Sequence, residues 1–300
     1  TSLGLAAESW SGLPHRGGRG GHSENRAGLR KNGGGCIRQR DRAIRKAQHE
    51  GCRQEIEGIS GAEPTINLGR RRLMGQGGDI HFGTDGWRAV IADAFTFDNV
   101  ERVTQAAADH FDSGTGTRRV VVGYDRRFLS GHFARTTAGV LAGNGYEVIL
   151  TDRPTPTPAV SYAVVARNAR GGIMLTASHN PPHFNGYKLK AANGGPADSQ
   201  LCQSVEGFLG KTPVGSQSGH GRAGEGKIEE EDIQPAYFRA IKKLVNFKLI
   251  SKTPLRFAHE PLFGVGAGCF DTLLAKTRCR VRTFHAAHDP NFGGICPEPI

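Results

Sequence analysis

The stretch GGIMLTASHNPPHFNGYKLK, from Gly171 to Lys190, gathers side chains able to do chemistry. An apolar run, Ile173-Met174-Leu175, stops at Thr176, and Ser178, His179 and Asn180 follow at once. A connecting loop is served by Gly, Pro and Asn. It has no use for Ser-His at a strand end with Lys188 and Lys190 close behind. An amide, an imidazole and two lysines around a hydroxyl suit an anionic substrate such as a phosphate ester. Pro181 and Pro182 restrict the backbone, so Ser178 would be presented rigidly. The plainer reading is a turn whose Ser and Asn bond local backbone. A hydrolase nucleophile elbow is excluded, because GxSxG is absent here.

The elements that must hold this segment start at Asp79. Asp98 with Glu101 three residues on reads as a capping box, and Val100, Val103, Ala107 and Phe111 then recur at helical spacing. Val120–Val122, Glu147–Leu150 and Gly172–Thr176 read as short buried strands. His132–Leu141, Pro158–Arg167 and Asp198–Leu209 read as helices between and after them. The alternation implies an α/β fold: mixed, largely parallel sheets with helices on both faces. In such sheets ligands gather at the carboxyl ends of strands, where Ser178 and His179 fall.

Four segments are expected. Residues 1–78 are a Gly/Arg-rich extension, 79–210 a complete first domain, 211–227 a linker, and 228–300 part of a second domain. In the last, Glu229–Val245 reads as an amphipathic helix, followed by strand Leu255–Ala258, helix Gly264–Ala275 and strand Cys279–Phe284. One βαβ unit makes a sheet only two strands wide, so the second domain is expected to be truncated at Ile300.

The extension differs from the rest in composition. Of the net charge of +11, residues 1–73 contribute +7, with fourteen Lys and Arg against seven Asp and Glu. Gly-rich, Arg-rich pieces dominate it and periodicity is missing, so a disordered tail is expected. Met74 is the first methionine, and a natural start there is one reading. An RGG-type tail that binds RNA is the alternative function. Trp10 is the only aromatic residue in 1–73, which makes a poor stacking platform, so nucleic acid is not the expected partner. No two of the six cysteines lie closer than ten residues, which excludes CxxC metal or redox chemistry and reads as reduced thiols in the cytoplasm. No apolar stretch approaches about 18 residues, so no membrane partner is expected. Gly264-Val265-Gly266-Ala267-Gly268 has the outline of a dinucleotide loop, but Cys269 stands in place of its third glycine. His285 and His288, three apart beside Asp289, follow a strand rather than share a helix face, which disfavours a metal pair.

TASHNPPHFNGYK closely resembles the catalytic serine loop of the α-D-phosphohexomutases, the phosphoglucomutase/phosphomannomutase family. FGTDGWRAVIADAFT, VVVGYDRR, PTPTPAVSYAV and DPNFGGICPEP resemble further segments of that family, so the likeness runs from about Asp79 to Ile300. It implies 1-phosphate to 6-phosphate interconversion of a hexose phosphate, with a hexose 1,6-bisphosphate as activator. Ser178 would carry the phosphoryl group and, through it, contact Mg²⁺. His179 would lie near the transferring group, and Lys188 and Arg88 would supply acid/base and charge contacts. Asn180 and Lys190 would bind substrate. The family's Asp-rich metal loop is expected beyond Ile300, since no DGDxDR-like run occurs here, so the chain is expected to be inactive alone. His183, Phe263 and Cys296 depart from the family's usual residues. The sequence leaves the sugar and the oligomeric state open.

Overall fold

The computed structural model describes residues 80–83, 86–114, 116–214, 226–295 and 297–298. The expected tail, residues 1–78, and the RNA reading that rests on it lie outside the described residues.

Among the described residues fifteen strands and α-helices follow in chain order, with a 3-10 turn at Phe292–Gly294 after them. They are β1 (Trp87–Val90), α1 (Phe97–Asp112), β2 (Arg119–Tyr124), α2 (Ser130–Gly143), β3 (Glu147–Thr151), α3 (Thr157–Ala166), β4 (Gly171–Leu175) and β5 (Phe184–Lys190). Then come α4 (Ser199–Phe208), β6 (Lys227–Glu231), α5 (Gln234–Leu244), α6 (Phe247–Lys252), β7 (Arg256–His259), α7 (Cys269–Leu274) and β8 (Arg280–Thr283). Six strands form one sheet in the order β1-β5-β4-β2-β3-β6. β4, β2, β3 and β6 run parallel, and β5 runs antiparallel to both its neighbours.

β2 shows why the sheet is covered on both sides. A strand's side chains alternate between faces. Val120 and Val122 join a cluster with Val103 and Phe111 of α1, Leu141 of α2 and Val205 of α4. Val121 joins Val160 and Val164 of α3 on the other face, with Ile149 and Met174. Strands buried on both faces read as continuous apolar runs, as β2 and β4 do. β7 and β8 form a separate parallel pair joined through α7, as expected. Phe257 of β7 packs edge-on against Phe270 of α7.

Two local expectations are corrected, and one strand is unexpected. Thr96, not Asp98, caps α1: its backbone is extended and its Oγ1 accepts from the Asn99 amide at 3.2 Å. Lys227–Glu231 is a strand rather than the start of a helix, because its backbone pairs with β3 along its whole length. The helix begins after it, at Gln234, with a proline in its first turn. β5 carries only a short alternation, Tyr187 to Lys190, behind Asn185-Gly186. Its neighbours β4 and β1 supply the ladder on both sides.

Candidate active site

Ser178 sits in the loop 176–183 that joins β4 to β5, so the loop is the tip of an antiparallel hairpin. Its backbone is left-handed, at φ 57°, which a non-glycine residue adopts only under constraint. Its amide donates to Thr176 Oγ1 at 3.0 Å, and the Asn180 amide donates to the Ala177 carbonyl at 3.0 Å. The side chain is exposed, so a turned-out hydroxyl stands on a held backbone.

Arg127 supplies much of that constraint. Its side chain is fully buried, and its guanidinium donates to three loop carbonyls and the first carbonyl of β5. Nη1 reaches Pro181 O at 2.9 Å and Phe184 O at 3.1 Å. Nη2 reaches Ser178 O at 2.8 Å and Asn180 O at 2.6 Å. Asp125 stands 3.4 Å from Arg127 Nε, and the Phe292 ring lies 5.2 Å from the guanidinium carbon. Asp125 Oδ1 also accepts from Ser130 Oγ at 2.7 Å, and Ser130 Oγ accepts from Asn185 Nδ2 at 2.9 Å. This chain ties the end of β2 to the start of β5. Arg127 was not among the residues singled out from the sequence. Its signal was available: a charged run, Asp125-Arg126-Arg127, directly after a strand buried from Val120 to Tyr124.

The other candidates divide into two groups. Arg88, on β1 opposite Gly186, donates from Nη1 to Asn180 Oδ1 at 2.7 Å, which brings Arg88 and Asn180 to the serine loop. His179 Nδ1 lies 3.4 Å from Ser178 Oγ, and its Nε2 lies 3.1 Å from Glu298 Oε2. Lys188 and Lys190 are buried on β5, opposite Met174 and Gly172 of β4. Strand alternation puts them on one face with Gly186. A Cβ on Gly186 would stand 2.5 Å from Thr176 O, so only glycine allows the two strands to approach there.

A cleft of about 460 Å³ opens beside Ser178 and His179. Asp125 and Arg126 after β2, Thr176 after β4 and Glu260 after β7 line it, so it lies at carboxyl ends of strands. Arg88, Asn180, Lys188 and Lys190 are not among its lining residues. Arg126 donates to the carbonyls of Ala286 at 2.8 Å and Ala287 at 3.3 Å, and burial pulls its guanidinium below the ordinary arginine value.

Among the described residues no group of three or more His, Cys, Asp or Glu is placed to hold a metal ion. The carboxylates of the cleft are engaged elsewhere. Asp125 accepts from the Arg127 amide and Ser130, and Glu260 accepts from the Leu262 amide and meets His285 at 2.5 Å. Glu298 pairs with His179. These residues do not form a magnesium cage by themselves, and Ser178 offers one oxygen. His285 and His288 face Glu260 and the Arg126 carbonyl respectively, and so do not converge as a metal pair. Phe263 stacks at 4.8 Å on His285, and Cys296 lies outside the described residues. Among the described residues no helix is long and apolar enough to cross a membrane.

Residues 79–212 match the family model described as phosphoglucomutase/phosphomannomutase, alpha/beta/alpha domain I. A phosphoglucomutase of Staphylococcus saprophyticus is 33% identical over 182 residues, which is 56% of this chain and 32% of that protein. A probable phosphomannomutase of Haemophilus influenzae is 32% identical over 180 residues, 58% of this chain and 36% of that one. The crystal structure of a putative phosphomannomutase from Thermus thermophilus superposes with a TM-score of 0.65 at 40% identity. That superposition covers 73% of this chain and 49% of the other. The chain thus spans between a third and a half of the length of these proteins.

Proposed function

Because this chain belongs to the α-D-phosphohexomutase family, we propose that Ser178 receives and returns a phosphoryl group of a hexose phosphate. The observation that carries this reading is the presentation of Ser178. An exposed hydroxyl stands on a left-handed backbone that a buried arginine holds by four carbonyls, beside a cleft at strand ends. Phosphoryl transfer asks little covalent chemistry of a protein and much positioning and charge stabilisation.

In this reading phosphorylated Ser178 gives its group to the free hydroxyl of the sugar phosphate, the Oγ–phosphorus bond breaking as the new sugar oxygen–phosphorus bond forms. Oγ then takes the group at the sugar's other position, where the sugar oxygen–phosphorus bond breaks as the Oγ–phosphorus bond forms again. Arg88, fixed by Asn180, supplies positive charge at the loop. Lys188 supplies it from β5, with Lys190 behind it as a substrate contact. Magnesium and a hexose 1,6-bisphosphate belong to the proposal as the expected cofactor and activator. The relatives' names differ in their sugar, and a hexose monophosphate is the class proposed here. A first domain over residues 79–210, a linker over 211–227 and a second domain from 228 belong to the same reading, with β6 at the head of the second segment joining the first domain's sheet. The RNA alternative rests on residues 1–73, outside the described residues.

The test is phosphoryl acceptance. The chain is incubated for hours with magnesium and glucose 1,6-bisphosphate and digested, and its peptides are weighed. Phosphoserine is expected at Ser178 and nowhere else, and Ser178→Ala should take up none. Labelling spread over several serines, or none at Ser178, would overturn the proposal.

A further inference from the structure

Building on the reading of Ser178 as phosphoryl acceptor, we infer that Glu298 is a positioning residue that fixes the tautomer and aim of His179, so that Nδ1 receives the Ser178 proton. The imidazole lies between two oxygens. Its Nδ1 is 3.4 Å from Ser178 Oγ and its Nε2 is 3.1 Å from Glu298 Oε2. A carboxylate can only accept, so the hydrogen on that side belongs to Nε2. A neutral imidazole carries one N–H, so Nδ1 is left with a lone pair, and that lone pair faces the serine hydroxyl. The donors then run in one direction, from Ser178 O–H to Nδ1 and from Nε2–H to Glu298. Without an acceptor beyond Nε2, a ring this exposed would exchange tautomers and turn over freely.

Glu298 does not arrive in isolation. The segment from Asp289 to Glu298 also carries Phe292, which is buried against the Arg127 guanidinium. Arg127 holds the serine loop from within, and Glu298 reaches its tip through His179. The other cleft carboxylates do not compete for the ring, since Asp125 and Glu260 have the partners described above. A 3.4 Å approach is long for an O–H donor, and such contacts tighten once the reacting group is in place. The step balances as follows. The Ser178 Oγ–phosphorus bond forms, the sugar oxygen–phosphorus bond breaks, and the Oγ proton moves to His179 Nδ1. The departing sugar oxygen takes a proton from water.

The experiment reads the ring directly. Nitrogen-15 spectra of the full chain, labelled at histidine, report which nitrogen of His179 bears hydrogen while the ring is neutral. A single Nε2–H form is expected, with Nδ1 bare. Glu298→Ala should give a mixture of both tautomers. Glu298→Gln, whose amide oxygen still accepts, should restore the Nε2–H form. Equal tautomer ratios in all three proteins, or hydrogen on Nδ1 in the unaltered chain, would overturn the inference. In the labelling assay, Glu298→Ala should slow uptake at Ser178 by about ten- to hundredfold, as losing the group that orients a histidine typically does. Unchanged uptake would also overturn it. If the unaltered chain takes up no phosphoryl group, the proposal for Ser178 fails, while the tautomer spectra still decide the role of Glu298.

Discussion

At the scale of single residues, the site depends as much on Arg127 as on the serine it presents. Arg127 donates to four carbonyls through a planar fork that a lysine ammonium cannot reproduce. Arg127→Lys should therefore behave almost like Arg127→Ala. Loss of several charge-assisted bonds at a buried site is expected to cost about 3 kcal/mol or more in urea unfolding. Amides of residues 176–184 should exchange faster, and uptake at Ser178 should fall with them. Near-normal exchange in Arg127→Lys would show that the prolines alone hold the loop. The sequence pointed to Ser178, His179, Asn180 and Arg88, because small polar groups and an arginine fell in recognisable motifs, and the fold brings these four together at one loop. It did not point to Arg127 or Glu298. Their roles come from contacts with residues 51 and more than 100 positions away; the charged run at Asp125–Arg127 marks a strand end but not the loop that Arg127 holds, and nothing local marks Glu298.

At the scale of elements, strands with their own apolar pattern were legible and borrowed ones were not. β2, β3 and β4 are buried runs that could be read directly. β5 and β6 are strands only because neighbours pair with them. In β6 charged residues prevail, as suits an edge strand that must not recruit another chain. Its attachment carries a pH dependence. Hydrogen bonds from Lys227 and Arg119 hold the Glu147 carboxyl below its ordinary value, since both favour the charged form. A carboxyl depressed in the fold stabilises it above the unfolded value, and that contribution is lost as pH falls through the folded one. β6 should thus keep its protection at neutral pH and lose it selectively below about pH 4. Hydrogen exchange of residues 227–231, corrected for the intrinsic rate, measures this. Glu147→Gln should weaken the strand at neutral pH and reduce the acid response, leaving the part that comes from Glu231 and Arg167. Equal acid sensitivity in β2 would refute the assignment to Glu147.

At the scale of the whole molecule, if Ser178 is the phosphoryl acceptor proposed above, the described residues supply one side of its site: the serine, the Arg127 clamp, Arg88 and Lys188 as cations, and His179. Losing one preorganised electrostatic contact typically costs about 10²–10³ in rate. With Ser178 as the one candidate magnesium ligand described, the 300-residue polypeptide assayed by itself should show no measurable conversion of glucose 1-phosphate to glucose 6-phosphate. Turnover within about tenfold of an ordinary enzyme's ~10 s⁻¹ would refute that. The single antiparallel strand in the main sheet has a further consequence, in time rather than in space. β2, β3 and β4 can pair in the order in which they leave the ribosome. β1 has no partner until β5 emerges, and Arg88 and Asn180 are 92 positions apart. At ~5–20 residues per second, translation takes on the order of 5–20 s to cover that distance. Through that interval the nascent chain carries Trp87 on a strand with nothing beside it. Arg88, among the first site residues to be synthesised, can take its place only after the serine loop has been made.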